Sequence, residues 1–162
     1  KIKYLNKLNQ ERISLAKIYD DNLRSILNLK IPYKDPNCDH VYHLYVIRTN
    51  KRDEIKKYLI KNGIETLIHY PIPPHLQLAY KYLGYKKGDF PIAERYYDQT
   101  ITIPLYPSMT NDDMYRVVEV ISISASLEDF SNSIGQVNTA TLMSLSYEEG
   151  GQGLDASQSL IP

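Results

Sequence analysis

Three prolines within four positions, Pro71, Pro73 and Pro74, limit this chain more than any other feature. They follow an apolar run, Ile64 to Ile68, that reads as a strand, and a His69-Tyr70 pair. Proline lacks the backbone donor a ladder needs, so no central strand can continue past Tyr70. The chain must leave its sheet here and return later. The return is legible in outline. His75 to Leu83 reads as a short helix stopped by Gly84. Asp89 and Pro91 mark another helix start, with Pro in its first turn. Ile92 to Gln99 follows, and Ile101 to Ile103 reads as a short strand leading into a turn with Pro104, Tyr106 and Pro107.

Upstream of the prolines the pattern is strand, helix, strand. In HVYHLYVIR, residues 40–48, Val41, His43, Tyr45 and Ile47 alternate with Tyr42, Leu44, Val46 and Arg48. Both sets are largely apolar, as in a strand covered on two sides. Asn50 is placed to cap the next helix, with Asp53 in its first turn. Ile55, Tyr58, Leu59 and Asn62 fall on one face of that helix, and Gly63 ends it. The chain opens inside a helical pattern, with Ile2, Leu5, Leu8, Leu15, Ile18 and Tyr19 on one broad face and Asn28 and Pro32 at the exit. It has no starting Met and no capping residue, so an N-terminal truncation is expected. Thr110 caps a last helix through Met114, Val117 and Val118, with Asp113 three residues on. The expected class is α/β, in α+β form: a short three-stranded sheet covered by helices.

Residues 121–162 differ from the rest. They hold nine of the 12 serines and are rich in Gly, Gln and Asn. That composition buries too little apolar area to offset chain entropy, so a poorly ordered or appended tail is expected. The expected division is a folded domain over 1–120 and this tail. Although the formal net charge is zero, all 19 Lys and Arg lie at or before Arg116. The basic residues there scatter over helical faces, which fits a solvated surface better than nucleic acid. No apolar run approaches the roughly 18 residues of a spanning helix. Cys38 is the only cysteine, which excludes an internal disulfide and fits a reducing cytoplasm.

Few residues are arranged for chemistry. His40 and His43 lie three apart on an expected strand and so point to opposite faces, which suits no shared metal. His43 is expected as a hydrogen-bonded core or interface residue. His69 and His75 could converge across the proline loop, but no acidic cluster accompanies them. Asp20-Asp21 and Asp112-Asp113 read as surface or capping residues. No lysine lies in an apolar run of the kind that activates a Schiff-base lysine, and Lys61 falls on the polar side of its helix. His69 and Tyr70, at a strand end, offer donors suited to phosphate or hydroxyl oxygens. The other reading is that Tyr70 packs under the loop and His69 merely finishes the strand.

Three stretches carry a resemblance over roughly residues 1–120: KYLNKLNQERISLAKIYDDNL, HVYHLYVIR and RDEIKKYLIKNGIETLIHYPIPPHLQLAYKYLGYKKGDFPIAERYYDQTITIPLYPSMT. They resemble the small C-terminal domain of the DegT/DnrJ/StrS family of sugar aminotransferases. The resemblance implies the type I fold of pyridoxal-phosphate aminotransferases, and transfer of an amino group, usually from glutamate, to a nucleotide-linked keto-sugar. It implies a homodimer in polysaccharide biosynthesis. It also implies that the Schiff-base lysine and most cofactor contacts lie in a larger N-terminal domain, so no catalytic residue or metal ligand is expected here. The implied roles are substrate binding for His69 and Tyr70, near the nucleotide diphosphate, and loop shaping for Pro71, Pro73 and His75. Residues 121–162 resemble no part of that family.

Two other readings compete. One is a stand-alone α/β ligand-binding or regulatory module. The other is a single-strand RNA binder using Tyr42 and Tyr45, which the alternation disfavours by placing them on opposite faces.

Overall fold

The computed structural model describes residues 2–126. The tail expected to be poorly ordered lies, from residue 127 onward, outside the described residues. A 3-10 turn, Ile2–Tyr4, leads into α1, Leu5–Leu23. Strand β1 spans Tyr45–Arg48 and α2 spans Arg52–Lys61. Two 3-10 turns, Pro74–Leu76 and Leu78–Leu83, precede α3, Pro91–Gln99. Strand β2, Thr100–Ile103, follows directly, and α4 covers residues 111–126. The ISISAS segment therefore continues the last helix, with Ile121 and Ser124 buried.

The sheet corrects the sequence expectation. It has two strands, not three: β1 and β2 run antiparallel, pairing Tyr45 with Ile103 and Arg48 with Thr100. The expected third strand, Ile64 to Ile68, makes one bridge, Leu67 to Thr102, through two backbone hydrogen bonds of 3.1 and 2.7 Å. Both ends of that segment are already committed. At its start, Gly63 N–H donates to Ile60 O and Ile64 N–H to Leu59 O, the double bond of a Schellman ending on α2. Gly63 adopts φ +75°, as that ending requires. After it come the prolines. On the opposite edge, Lys30 bridges Arg48.

The first strand is also shorter than residues 40–48. Tyr42 has φ +48° and its N–H donates to His40 Nδ1 at 3.0 Å. This turn cancels the alternation, so Tyr42 and Tyr45 lie on the same side, both buried, with rings stacked 6.0 Å apart. Asp20 accepts from both hydroxyls, at 3.3 and 2.7 Å, so it is no simple surface acid. His43, expected in a core or interface, is exposed.

One face of the sheet is closed. Tyr45, Ile47, Ile101 and Ile103 join Leu15, Tyr19 and Leu23 of α1, Ile55 and Leu59 of α2, and Met114, Val117 and Ile121 of α4 in one core. The spacing of these residues along each helix is the amphipathic period. The other face is half open: Val46, Arg48 and Thr100 are half-buried and Leu67 is exposed. The expected two-sided cover is therefore incomplete. The apolar stripe that runs from the first 3-10 turn into α1 also outruns the core, leaving Ile2 88% and Leu5 50% exposed.

The caps came out unevenly. Thr110 and Asp113 form a reciprocal box: Asp113 N–H donates to Thr110 Oγ1 at 3.1 Å, and Thr110 N–H to Asp113 Oδ2 at 3.1 Å. Asn50 does not cap α2. Lys51 precedes that helix with its N–H on Thr49 Oγ1, and Asn50 instead accepts from the Gln99 side chain. Arg116 of α4 donates to Asn62 O, tying α4 to the end of α2.

Candidate functional site

The Leu67–Thr102 bridge decides where His69 stands. Leu67 and Thr102 face each other, and the strand period of two returns His69 to the same face. There its Nδ1 lies 2.9 Å from Thr102 Oγ1. The Tyr70 ring meets the imidazole edge-on, with centroids 5.7 Å apart, and is 72% exposed. Tyr70 therefore does not pack under the loop. The peptide joining the two residues is cis.

His69 opens on a cavity of about 580 Å3, lined by Leu44, Thr66, Leu67, Thr102, Pro104 and Tyr106 among others. Its wall is mostly apolar, and its polar side chains are Glu65, Thr66, His69, Thr102 and Tyr106, the usual form of a small-molecule site. Thr66 is buried, and among the described residues its hydroxyl has no hydrogen-bond partner. The rim is held from below: the Tyr19 hydroxyl donates to Pro104 O at 2.7 Å. Burial, and then Tyr106 nearby, push the Tyr19 phenol well above its ordinary range. Tyr45 is raised too, by burial first and by its bond to Asp20. Both are fixed donors, not bases.

The loop beyond is clamped at one place. His75 Nε2 lies 3.0 Å from Glu94 Oε1 on the first turns of α3. The same carboxylate accepts from Gly88 N–H at 2.8 and 3.0 Å and from Phe90 N–H at 3.5 Å. Those Gly88 contacts, and then His75, hold the Glu94 carboxyl below its usual range. The His75 ring also lies 4.9 Å from Phe90. Pro73 is buried and its carbonyl accepts from Leu76 N–H at 2.9 Å, whereas Pro71 is exposed. His75 thus points to Glu94 while His69 points to Thr102, so the two do not converge on a metal. The His75–Glu94 and His69–Thr102 pairs carry no signal in the sequence, because their members lie 19 and 33 residues apart.

The sequence profile of the DegT/DnrJ/EryC1/StrS aminotransferase family matches residues 1–122. The chain belongs to that family. Among relatives in the DegT/DnrJ/EryC1/StrS family, a dTDP-3-amino-3,6-dideoxy-alpha-D-galactopyranose transaminase of Aneurinibacillus thermoaerophilus is 35% identical over 122 residues, covering 75% of this chain and 33% of the relative. A dTDP-3-amino-3,4,6-trideoxy-alpha-D-glucose transaminase of Streptomyces venezuelae is 33% identical over 75% of this chain and 32% of the relative. The solved structure of DesV from S. venezuelae, in complex with a ketimine intermediate, superposes with a TM-score of 0.74 at 33% identity, covering 76% of this chain and 33% of that one. The solved structure of Spr1654 of Streptococcus pneumoniae, in its PMP form, is 23% identical over 82% of this chain and 34% of that one and shares the fold with a TM-score of 0.73. The chain spans about a third of the length of the relatives it matches.

A lysine that forms a Schiff base must lose its proton at neutral pH. Desolvation by burial is the usual means. Among the described residues no lysine is buried, and Lys61 is exposed. Among the described residues no helix is long and apolar enough to cross a membrane.

Proposed function

We propose that this chain is the substrate-facing small domain of a pyridoxal-phosphate-dependent sugar aminotransferase. In this reading the parent enzyme moves an amino group, from glutamate, to a nucleotide-linked keto-sugar in the cytoplasm, and works as a homodimer. His69 and Tyr70 bind the nucleotide-diphosphate end of the substrate, and Pro71, Pro73 and His75 hold their loop. Residues 1–126, the whole last helix included, carry these tasks, and the residues after 126 are an appended segment. The cofactor is held mainly by protein outside this chain.

The observation that carries the reading is the placement of the His69 imidazole. Thr102 fixes its Nδ1 side, and the cavity lies in front of it. Tyr70 stands beside it with its ring largely in solvent. Such a pair can meet anionic oxygens without reorganising. Exposed apolar side chains support assembly with more protein: Ile2 and Tyr4 on the first 3-10 turn, Leu5 at the start of α1, and Leu78, Tyr82 and Ile92 near the loop. A relative named as a spore coat polysaccharide biosynthesis protein of Bacillus subtilis fits the sugar pathway.

The test is reductive trapping. Pyridoxal phosphate and borohydride added to this chain should label no single lysine preferentially. Stoichiometric labelling of one lysine, with a matching absorbance band, would place the chemistry here and overturn the division of labour.

One observation favours a second reading. A relative 33% identical to this chain is named as a pleiotropic regulatory protein of Geobacillus stearothermophilus. A ligand-binding or regulatory module without catalysis would use the same cavity. It would remain monomeric at high concentration, whereas an aminotransferase domain with open apolar faces would self-associate.

A further inference from the structure

A second hollow, of about 330 Å3, lies on the open side of the sheet and shares no lining residue with the cavity at His69. Three separate parts of the chain bring cations to it. Lys30 comes from the connection after α1, Arg48 from the end of β1, and Arg95 from α3. No Asp or Glu lines it. Among the described residues, none of the three cations has an acidic partner within ion-pair distance. Three unneutralised positive charges around one concavity raise the local concentration of anions.

The hollow is built rather than incidental. Lys30 and Arg48 exchange two backbone hydrogen bonds, each 2.8 Å, which fixes their side chains on one face. The Arg48 guanidinium is stacked over the Tyr96 ring at 4.2 Å, so its orientation is set by contact with α3. Stacking uses the face of the guanidinium and leaves its edge N–H donors available. Thr49 N–H bonds to Gln99 O at 3.0 Å, joining the two walls. Asn50 and Gln99 are hydrogen-bonded to each other at the rim and add amide groups.

We propose that this hollow binds a phosphate-class anion, with Arg48 and Arg95 as the guanidinium ligands and Lys30 as a point charge. A carboxylate is planar, carries one charge and is met by one guanidinium fork. Cations from three elements suit a tetrahedral group with several charged oxygens, such as a diphosphate. The anion would be free diphosphate or the phosphate portion of a larger metabolite.

Isothermal titration of this chain with inorganic diphosphate tests the assignment. A saturable binding component that depends on Arg48 and Arg95 and not on His69 is expected, weakening as ionic strength rises. Glutarate, a dicarboxylate, should bind at least about tenfold more weakly. Arg95 is exposed, so Arg95→Gln should keep the fold, checked by circular dichroism, and should weaken diphosphate binding about tenfold or more, the loss for one charge-assisted bond. Arg48→Gln should do the same. His69→Ala should leave the affinity within about twofold, which separates this site from the one proposed at the loop. No saturable binding, no preference over glutarate, or loss of binding in His69→Ala with retention in Arg95→Gln would each overturn the proposal. Titration with a nucleoside diphosphate and with its nucleoside separates the sources: equal binding of the nucleoside would also count against a phosphate site.

Discussion

His75 and Glu94, 19 positions apart in sequence, meet at 3.0 Å, and the same carboxylate holds the Gly88 N–H. One side chain therefore fastens both the proline loop and the turn before α3. Glu94→Ala should release that turn. Hydrogen exchange at Gly88 should speed by at least about tenfold, while exchange at Ile101 in β2 stays unchanged. Equal acceleration at both sites would mean that Glu94 supports the whole fold.

The same pair sets an acid limit. Glu94 titrates below its ordinary value because Gly88 and His75 favour its charged form. Asp113 does so because Thr110 donates to it. For a depressed carboxyl, stability is present above the unfolded-state value, near 4, and is lost as pH falls through the folded-state value. Melting temperature should hold from neutral pH to about 5 and drop below about 4. Glu94→Gln should flatten part of that drop.

Tyr19 and Tyr45 set a limit at the alkaline end. Both phenols titrate above their ordinary value, chiefly through burial. Their contribution is complete below the unfolded-state value near 10 and is lost as pH rises through the folded-state value. In an absorbance titration at alkaline pH, these two should ionise only as the far-ultraviolet signal of the helices collapses. Full ionisation of all 15 tyrosines with the fold intact would contradict this.

Leu59 and Gly63 separate packing from backbone geometry at the end of α2. Leu59 is fully buried, so Leu59→Ala should cost about 2–5 kcal/mol in denaturant unfolding. At Gly63, an added Cβ would lie 3.9 Å from Arg116 Nη2, an ordinary contact. Gly63→Ala should therefore cost only the left-handed backbone penalty, about 1–2 kcal/mol.

The helices were legible because their signals are local. The periodicity of α2, the Pro91 start of α3 and the Thr110–Asp113 box all lie within a few residues of one another. The sheet was less so. Tyr42 turns through a positive φ that its residue type does not announce, and this reversed the facing of Tyr42 relative to Tyr45. Ile64 to Ile68 has strand composition, yet the Schellman ending and the prolines leave room for one bridge. At the site, His69 and Tyr70 stood out by position. The pairings of Thr102 with His69, Glu94 with His75 and Asp20 with Tyr45 did not, because they span 19 to 33 residues and only the fold joins them.

The central claim is that His69 faces substrate. Imidazole resonances of this chain, followed by NMR during titration with a deoxythymidine- or uridine-diphosphate sugar, test it most directly. A saturable shift of the His69 ring signals is expected, with His40 and His43 unmoved and the shift reduced in Tyr70→Phe. No movement of His69 at saturating ligand, or movement confined to His40 and His43, would contradict it.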